Sequence, residues 1–160
     1  MKVIFAADHA GFDLKEKLVP FVKELGFEVE DVGAHDLQAE DDYPDMVALA
    51  ARLVSIDPQN VKAIVLGGSG QGEAIVANRF PHVRAVVFNG QFHPDDGRLI
   101  PKEIILAREH NDANILALGA RFLNEEEAKS AVKTWLLTPF SNEERHRRRI
   151  EKIEQYPSHT

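Results

Sequence analysis

The segment Ala63-Ile64-Val65-Leu66-Gly67-Gly68-Ser69-Gly70-Gln71-Gly72-Glu73 constrains this chain more than any other. Four apolar residues run without a polar break into six residues of which four are glycine, and a helical pattern then begins at Glu73. A short, uninterrupted apolar run fits a strand buried on both faces of a sheet. Glycine lets the turn after it adopt positive φ and lets backbone approach a ligand closely. Amides of such a turn, at a helix N-terminus, make a partly positive concavity suited to a phosphate or a developing oxyanion. A carboxylate in the same turn would repel a phosphate, so Glu73 points to chemistry beside the loop as well as to binding.

The same alternation continues along the chain. Strand patterns at Val3–Ala7, Glu28–Val32, Ala63–Leu66, Arg84–Phe88 and Ile115–Gly119 are separated by helical patterns. The helices are expected at Phe12–Leu25, Pro44–Val54, Glu73–Asn78, Lys102–Glu109 and Asn124–Leu137, with a polar one from about Asn142 to Gln155. Pro20 is expected to kink or break the first helix, and Gly26 to cap it. Strands alternating with helices in this way predict an α/β fold with a parallel sheet covered on both faces. Ligands then bind outside the C-terminal ends of the strands, near a topological switch point. The last helix has a weak apolar stripe, Ile150 and Ile153, among many charges, so it is expected to pack on a partner subunit.

Composition narrows the function classes. The chain of 160 residues reads as one domain, with 44% hydrophobic and 28% charged residues. It has no cysteine, which excludes disulfides, thiolate nucleophiles and cysteine-ligated metals. No apolar run approaches the roughly 18 residues that span a bilayer, and the apolar N-terminus is too brief for a signal peptide. The expectation is therefore a cytoplasmic protein without a membrane partner. A net charge of −7 argues against nucleic-acid binding. Arg145-His146-Arg147-Arg148-Arg149 runs against that trend and reads as either a local anion site or a solvated helical face.

Several polar clusters fall where a ligand is expected. Asp8-His9-Ala10-Gly11 follows the first strand, and Asp8 there fits a helix cap or a sugar-hydroxyl acceptor, while His9 could donate to a phosphate. The glycine loop lacks the lysine of a P-loop and the spacing of a dinucleotide-binding turn. Arg108-Glu109-His110-Asn111-Asp112 precedes the fifth strand, and Arg121 follows it on the ligand edge. His35, His82, His93 and His159 sit in turn-like or terminal contexts and read as surface residues, without the spacing of a metal site.

Taken together, Asp8-His9-Ala10-Gly11, Asp42-Tyr43-Pro44-Asp45, Gly68-Ser69-Gly70-Gln71-Gly72, Ala77-Asn78, Ala107–Asn114, Leu118-Gly119-Ala120-Arg121, Thr134-Trp135 and Arg145–Ile150 occur in this order along almost the whole chain. In this the sequence resembles the ribose-5-phosphate isomerase B family and its galactose-6-phosphate isomerase relatives. The resemblance implies a Rossmann-like three-layer sandwich with a five-stranded parallel sheet, and a C-terminal helix, within about 142–160, reaching a partner subunit. It implies a homodimer, with a homotetramer as the alternative, whose active site is shared between two chains.

Two features depart from the common pattern. Many family members carry a cysteine base just before the glycine loop, where this chain has Gly67; a branch of the family has glycine there and a glutamate after the loop, here Glu73, as base. About ten extra residues lie around Gly90–Pro101.

The resemblance implies interconversion of ribose 5-phosphate and ribulose 5-phosphate through an enediolate, with Glu73 carrying the proton between C2 and C1. Ser69 and the amides around Gly68, Gly70 and Gly72 would stabilise the enediolate oxygen. Asp8, His9 and Asn111 would contact the sugar phosphate, and His110 or His146 would open the ring. Arg145 and Arg149, assisted by Arg121 and His9, would bind the phosphate, partly from the partner chain, since arginine offers the bidentate contacts that lysine cannot. No metal or organic cofactor is implied. The alternatives are another phosphorylated sugar, a tetrose or a hexose phosphate, suggested by the insertion, and a non-catalytic sugar-phosphate sensor.

Overall fold

The structure, a computed structural model, describes residues 1–34 and 41–156; His35 and His159 lie outside them. The elements in chain order are β1 (Lys2–Ala7), α1 (Phe12–Glu24), β2 (Glu28–Asp31), α2 (Tyr43–Ile56), β3 (Val61–Gly67) and α3 (Gln71–Ala77). There follow β4 (Ala85–Phe88), α4 (Glu103–Glu109), β5 (Ile115–Gly119), α5 (Glu125–Leu137) and α6 (Glu144–Glu154). All five strands pair in parallel in the order β2-β1-β3-β5-β4.

The apolar strands divide their side chains between two cores. Val3, Phe5, Ile64, Leu66, Leu116 and Leu118 pack with Leu18 and Val22 of α1, Ile104 of α4 and Val132 and Trp135 of α5. Their immediate neighbours Ile4, Ala6, Ala63, Val65, Ile115 and Ala117 point the other way, onto Val47, Ala51 and Val54 of α2 and Ala74 and Ala77 of α3. Side chains alternate across a strand, so continuous apolar runs supply both faces of a buried sheet. The expected three-layer α/β sandwich is the fold observed. No helix among the described residues is long and apolar enough to cross a membrane.

Local signals set most of the boundaries. Gly26, at φ +91, closes α1 as expected: its amide bonds to the Lys23 carbonyl and that of Phe27 to Val22, the paired bonds of a Schellman motif. Asn124 opens α5 with a capping box, accepting from the Glu127 amide at 2.9 Å while its own amide donates to Glu127 Oε2 at 3.0 Å. Pro20 does not break α1, which runs through it to Glu24. Pro20 and Glu16 lie on the exposed face, so the carbonyl that loses its partner there is on the side of solvent. The glycine loop also turns into helix two residues early, at Gln71. Gly70, at φ +74, is the N-cap, and Glu73 therefore lies within the first turn rather than at its start.

Lys62, near the start of β3, faces Trp135 at 5.5 Å from the ring centroid. Burial, and then the charge of Arg108, push its pKa down from 10.5 to about 8, with Asp112 acting against them. Between those two values the folded chain holds fewer protons than the unfolded one, so stability rises with pH through that window, and charged Lys62 is a cost below it. Lys62→Met is expected to raise Tm at pH 7, with the difference shrinking by pH 10, as read by calorimetry across that range.

Candidate functional site

The chain enters the sheet at β1, goes outward to β2, and returns to the other side of β1 at β3. This reversal opens a crevice above the C-terminal ends of β1 and β3. The β1–α1 turn and the glycine loop form its two walls.

Glu73 sits between them. Its carboxylate lies over Gly67, so closely that a Cβ built on Gly67 would be 1.7 Å from Oε1. The residue is only 4% exposed, and among the described residues no other side chain is hydrogen-bonded to it. Burial pushes its pKa above the ordinary carboxylate value. A hydrogen bond from its own backbone amide works against that rise, and the charge of Asp8 adds to it. In the window between the unfolded and folded pKa values the native chain holds a proton that the unfolded chain has released. Stability therefore falls as pH rises through that window, and ionised Glu73 remains a cost above it. Glu73→Gln is expected to melt at a higher temperature than the unaltered protein at pH 7, with the gap closing in acid, as thermal melts across pH would show.

The rest of this edge is braced by backbone. Asp8 is buried, and its Oδ1 accepts from the Ala10 and Gly11 amides at 3.0 and 3.1 Å. It thus closes the turn that leads into α1, whose N-cap is Gly11 and carries no side-chain cap bond. The guanidinium of Arg121 lies against Gly68, 3.0 Å from where a Cβ would stand, and the Arg121 amide donates to the Gly68 carbonyl. Asn89, at the end of β4, donates to the Ser69 carbonyl and accepts from the Gly119 amide, both at 2.9 Å. Ser69 Oγ meets the Gln71 amide at 3.4 Å, so its hydroxyl is barely engaged. The Tyr43 hydroxyl covers Gly72, where a Cβ would come within 2.5 Å of it.

Three of these residues had no role in the sequence reading: Asn89, Tyr43 and Asp41. Tyr43 belongs to the Asp42-Tyr43-Pro44-Asp45 segment and Asn89 follows a strand on the ligand edge, and neither position signals its contact. Asp41 is the least visible of the three. Its Oδ1 accepts from the His9 amide at 3.0 Å and lies 2.6 Å from His9 Nδ1. Asp8, His9 and Asp41 together could offer three ligand atoms within 4.8 Å of one another. Tetrahedral ligands at zinc distances stand about 3.3 Å apart; the shorter His9–Asp41 separation is that of a hydrogen bond.

The other predicted site residues gather at the opposite end of the sheet. His110 ends α4, and its ring stacks on His146 of α6 with centroids 4.2 Å apart. His146 is 1% exposed and its Nδ1 lies 2.8 Å from Ser141 Oγ. Asn111 and Arg149 are exposed, and Arg145 is exposed beside Glu143 at 2.8 Å. α6 is held to its own chain by His146 and by Glu154, which pairs with Arg84 at 2.8 Å and with His82 at 3.0 Å. His82 is on the surface as expected, yet serves as an anchor. The five residues of β5 separate this cluster from the crevice, about 13 Å along the strand. The fold thus assembles Asp8, His9, Gly68, Ser69, Gly70, Gly72, Glu73 and Arg121 at one edge, and His110, Asn111, Arg145, His146 and Arg149 at the other.

The insertion around Gly90–Pro101 forms an irregular, mostly exposed loop after β4. It is latched at its base by Gln91, which accepts from the Glu103 amide at 2.9 Å.

Known proteins share this fold over nearly the whole chain. Ribose-5-phosphate isomerase B of Mycobacterium tuberculosis is 39% identical over 98% of this chain and 90% of its own length. That of Escherichia coli is 36% identical over 95% of this chain and 93% of its own. The crystal structure of ribose-5-phosphate isomerase B from Mycoplasma genitalium with bound ribulose-5-phosphate matches with a TM-score of 0.89 and 33% identity, covering 99% of this chain and 97% of that one. The family described as Ribose/Galactose Isomerase matches residues 3–153. This chain belongs to the ribose/galactose isomerase family.

Proposed function

We propose that the protein interconverts ribose 5-phosphate and ribulose 5-phosphate, with Glu73 moving the proton, in sites shared between two chains of a dimer. The observation that carries this reading is the Glu73 carboxylate lying over Gly67, buried, facing the crevice and unpaired by any other described side chain.

The isomerisation starts from the open-chain aldose. Glu73, ionised, takes the C2 proton, and the electron pair forms the C1–C2 double bond of the enediolate. As the C1 carbonyl pair moves onto O1, O1 takes up a proton. When the carried proton returns to C1, the O2 hydroxyl gives up its proton and C2 becomes the carbonyl of the ketose, so a single carboxylate serves both carbon-bound transfers. Burial raises the basicity of that carboxylate toward the pH at which it works. The acid limb of kcat/KM should accordingly fall above the range of an ordinary carboxylate. Ser69, its hydroxyl barely engaged, and the amides of the glycine loop face the oxygen that gains charge; such preorganised donors are typically worth about 3–4 kcal/mol each.

Among the described residues, Arg121 is the one arginine at the crevice of a single chain. Arg145 and Arg149 of the partner, with Arg121 and His9 of this chain, complete the phosphate site, and the partner's α4–α6 cluster brings Asn111 to a sugar hydroxyl. His110 opens the ring, because it is the more open of the two stacked imidazoles, and His146 backs it.

The test has two arms. Purified protein given ribose 5-phosphate in deuterated buffer with EDTA should form ketose and exchange the C2 proton with solvent. Saturable binding without exchange would make it a sensor instead, and a panel of four-, five- and six-carbon aldose phosphates ranked by kcat/KM would expose a different substrate. In the second arm, Glu73→Gln and Arg149→Ala are each expected to be nearly inactive. Co-expressed, they should recover about a quarter of normal activity, because half of the dimers are mixed and each mixed dimer restores one of its two sites. No recovery would refute the shared site.

A further inference from the structure

Asp41 lies 32 residues from His9, at the entry to α2, yet its side chain is 5% exposed and its Oδ1 meets both the amide and the ring of His9. A carboxylate is withdrawn from water at considerable cost unless it is hydrogen-bonded. Among the described residues its bonds all run from Oδ1 to His9, with Oδ2 given no described partner, and His9 stands at the crevice with Glu73 and Asp8. The other carboxylate nearby, Asp8, spends Oδ1 on the amides of Ala10 and Gly11 and holds backbone rather than the imidazole. The ring of His9 is more than a third exposed, with Nδ1 engaged on Asp41. Nε2 is then the nitrogen left for a ligand, because the partner of one ring nitrogen sets the role of the other.

We propose that Asp41 is the positioning residue of His9: its buried carboxylate holds the imidazole by Nδ1 and commits Nε2 to the phosphate of the substrate. The proposal rests on the isomerase reading for the identity of the ligand. When the ring donates Nε2–H to the phosphate, Nδ1–H donates to Asp41, so the imidazolium is balanced on one side and aimed on the other. The His9 amide donates to the same oxygen, which fixes the backbone of the β1–α1 turn beneath the ring.

The test reads the ring directly. Long-range 1H–15N spectra of the ligand-free protein should place the proton of neutral His9 on Nδ1, and Asp41→Ala should move it toward Nε2, the tautomer free imidazole favours. Asp41→Asn, which keeps an acceptor but no charge, serves as the second variant if alanine disturbs folding, and it should show a partial shift. With ribose 5-phosphate, Asp41→Ala should lower kcat/KM by up to about 10²-fold, as small misplacements of a contact do. Most of that loss should lie in KM, and the Asp41→Ala/His9→Ala double variant should be no worse than His9→Ala alone. Additive losses, or unchanged ring protons in both Asp41 variants, would overturn the proposal, as would full activity in His9→Ala. Ring signals and activity that respond only to added zinc, and revert in EDTA, would assign the cluster to a metal instead and also overturn it. A complete lack of isomerase activity in the unaltered protein would refute the underlying reading, which the ring spectra judge separately because they need no turnover.

Discussion

Glu73→Gln is expected to lower kcat by about 10²–10⁴-fold while leaving the binding of a sugar phosphate within a few-fold of normal. The amide matches the carboxylate in shape, so the packing over Gly67 survives and only the proton acceptor is lost. No other described carboxylate is placed to substitute: Asp8 has one oxygen on two amides, and Asp41 has one on His9. The comparison that matters is kcat against KM. A fall in kcat with KM preserved is the signature of a group that acts in the transition state. The acid limb should vanish from what activity remains. Full activity in Glu73→Gln would remove Glu73 as the base.

Gly67→Ala is expected to be almost as damaging, from the other side of the same contact. The added Cβ would stand 1.7 Å from Glu73 Oε1 and 2.4 Å from its carboxyl carbon, well inside any tolerable approach. The backbone at Gly67 is not in the left-handed region, so the new methyl itself is not strained. What must give is the carboxylate. Its displacement should lower kcat/KM by at least about 10², since small errors of placement at a reacting group cost that much. Stability should change much less than activity, because the nearest atoms the methyl meets all belong to the far end of one flexible side chain. A melt and a kinetic run on one preparation separate the two effects. Gly67→Cys combined with Glu73→Ala should regain part of the lost activity, with a pH dependence moved to the range of a thiol, because it installs a base in the space the carboxylate vacates. If that double variant is as dead as Glu73→Ala alone, the two positions do not share one site for the base.

Much of this was legible before any coordinates. Uninterrupted runs such as Ile64-Val65-Leu66 and Leu116-Ala117-Leu118 mark strands with no exposed face, and the glycine loop marks the place where strand gives way to ligand. Asp8, His9, Ser69, Glu73 and Arg121 all fell on the predicted edge because strand ends are local features. Asp41, Asn89 and Tyr43 were not legible in their roles because each acts on a distant loop through a contact that no periodicity encodes. Pro20 marks no break: α1 runs through it, with the carbonyl that loses its partner on the face turned to solvent. The burial of His146 was not legible either: it stands among four arginines in a run that reads as an anion site or a solvated helical face, yet its ring is buried against His110.

If the site is shared as proposed, the placement of its two clusters at opposite ends of β5 limits how copies of this chain can associate. Surfaces that complement each other but sit at different ends of a molecule can be satisfied head to tail, and that addition does not stop unless the rotation closes a ring. They can also be satisfied by a two-fold axis lying across the strands, which sets the sheets side by side and running in opposite directions. Only the second uses up both ends with two chains. With the shared site proposed above, the two-fold pair would hold two complete sites, and an open head-to-tail array would leave half a site unfilled at each end.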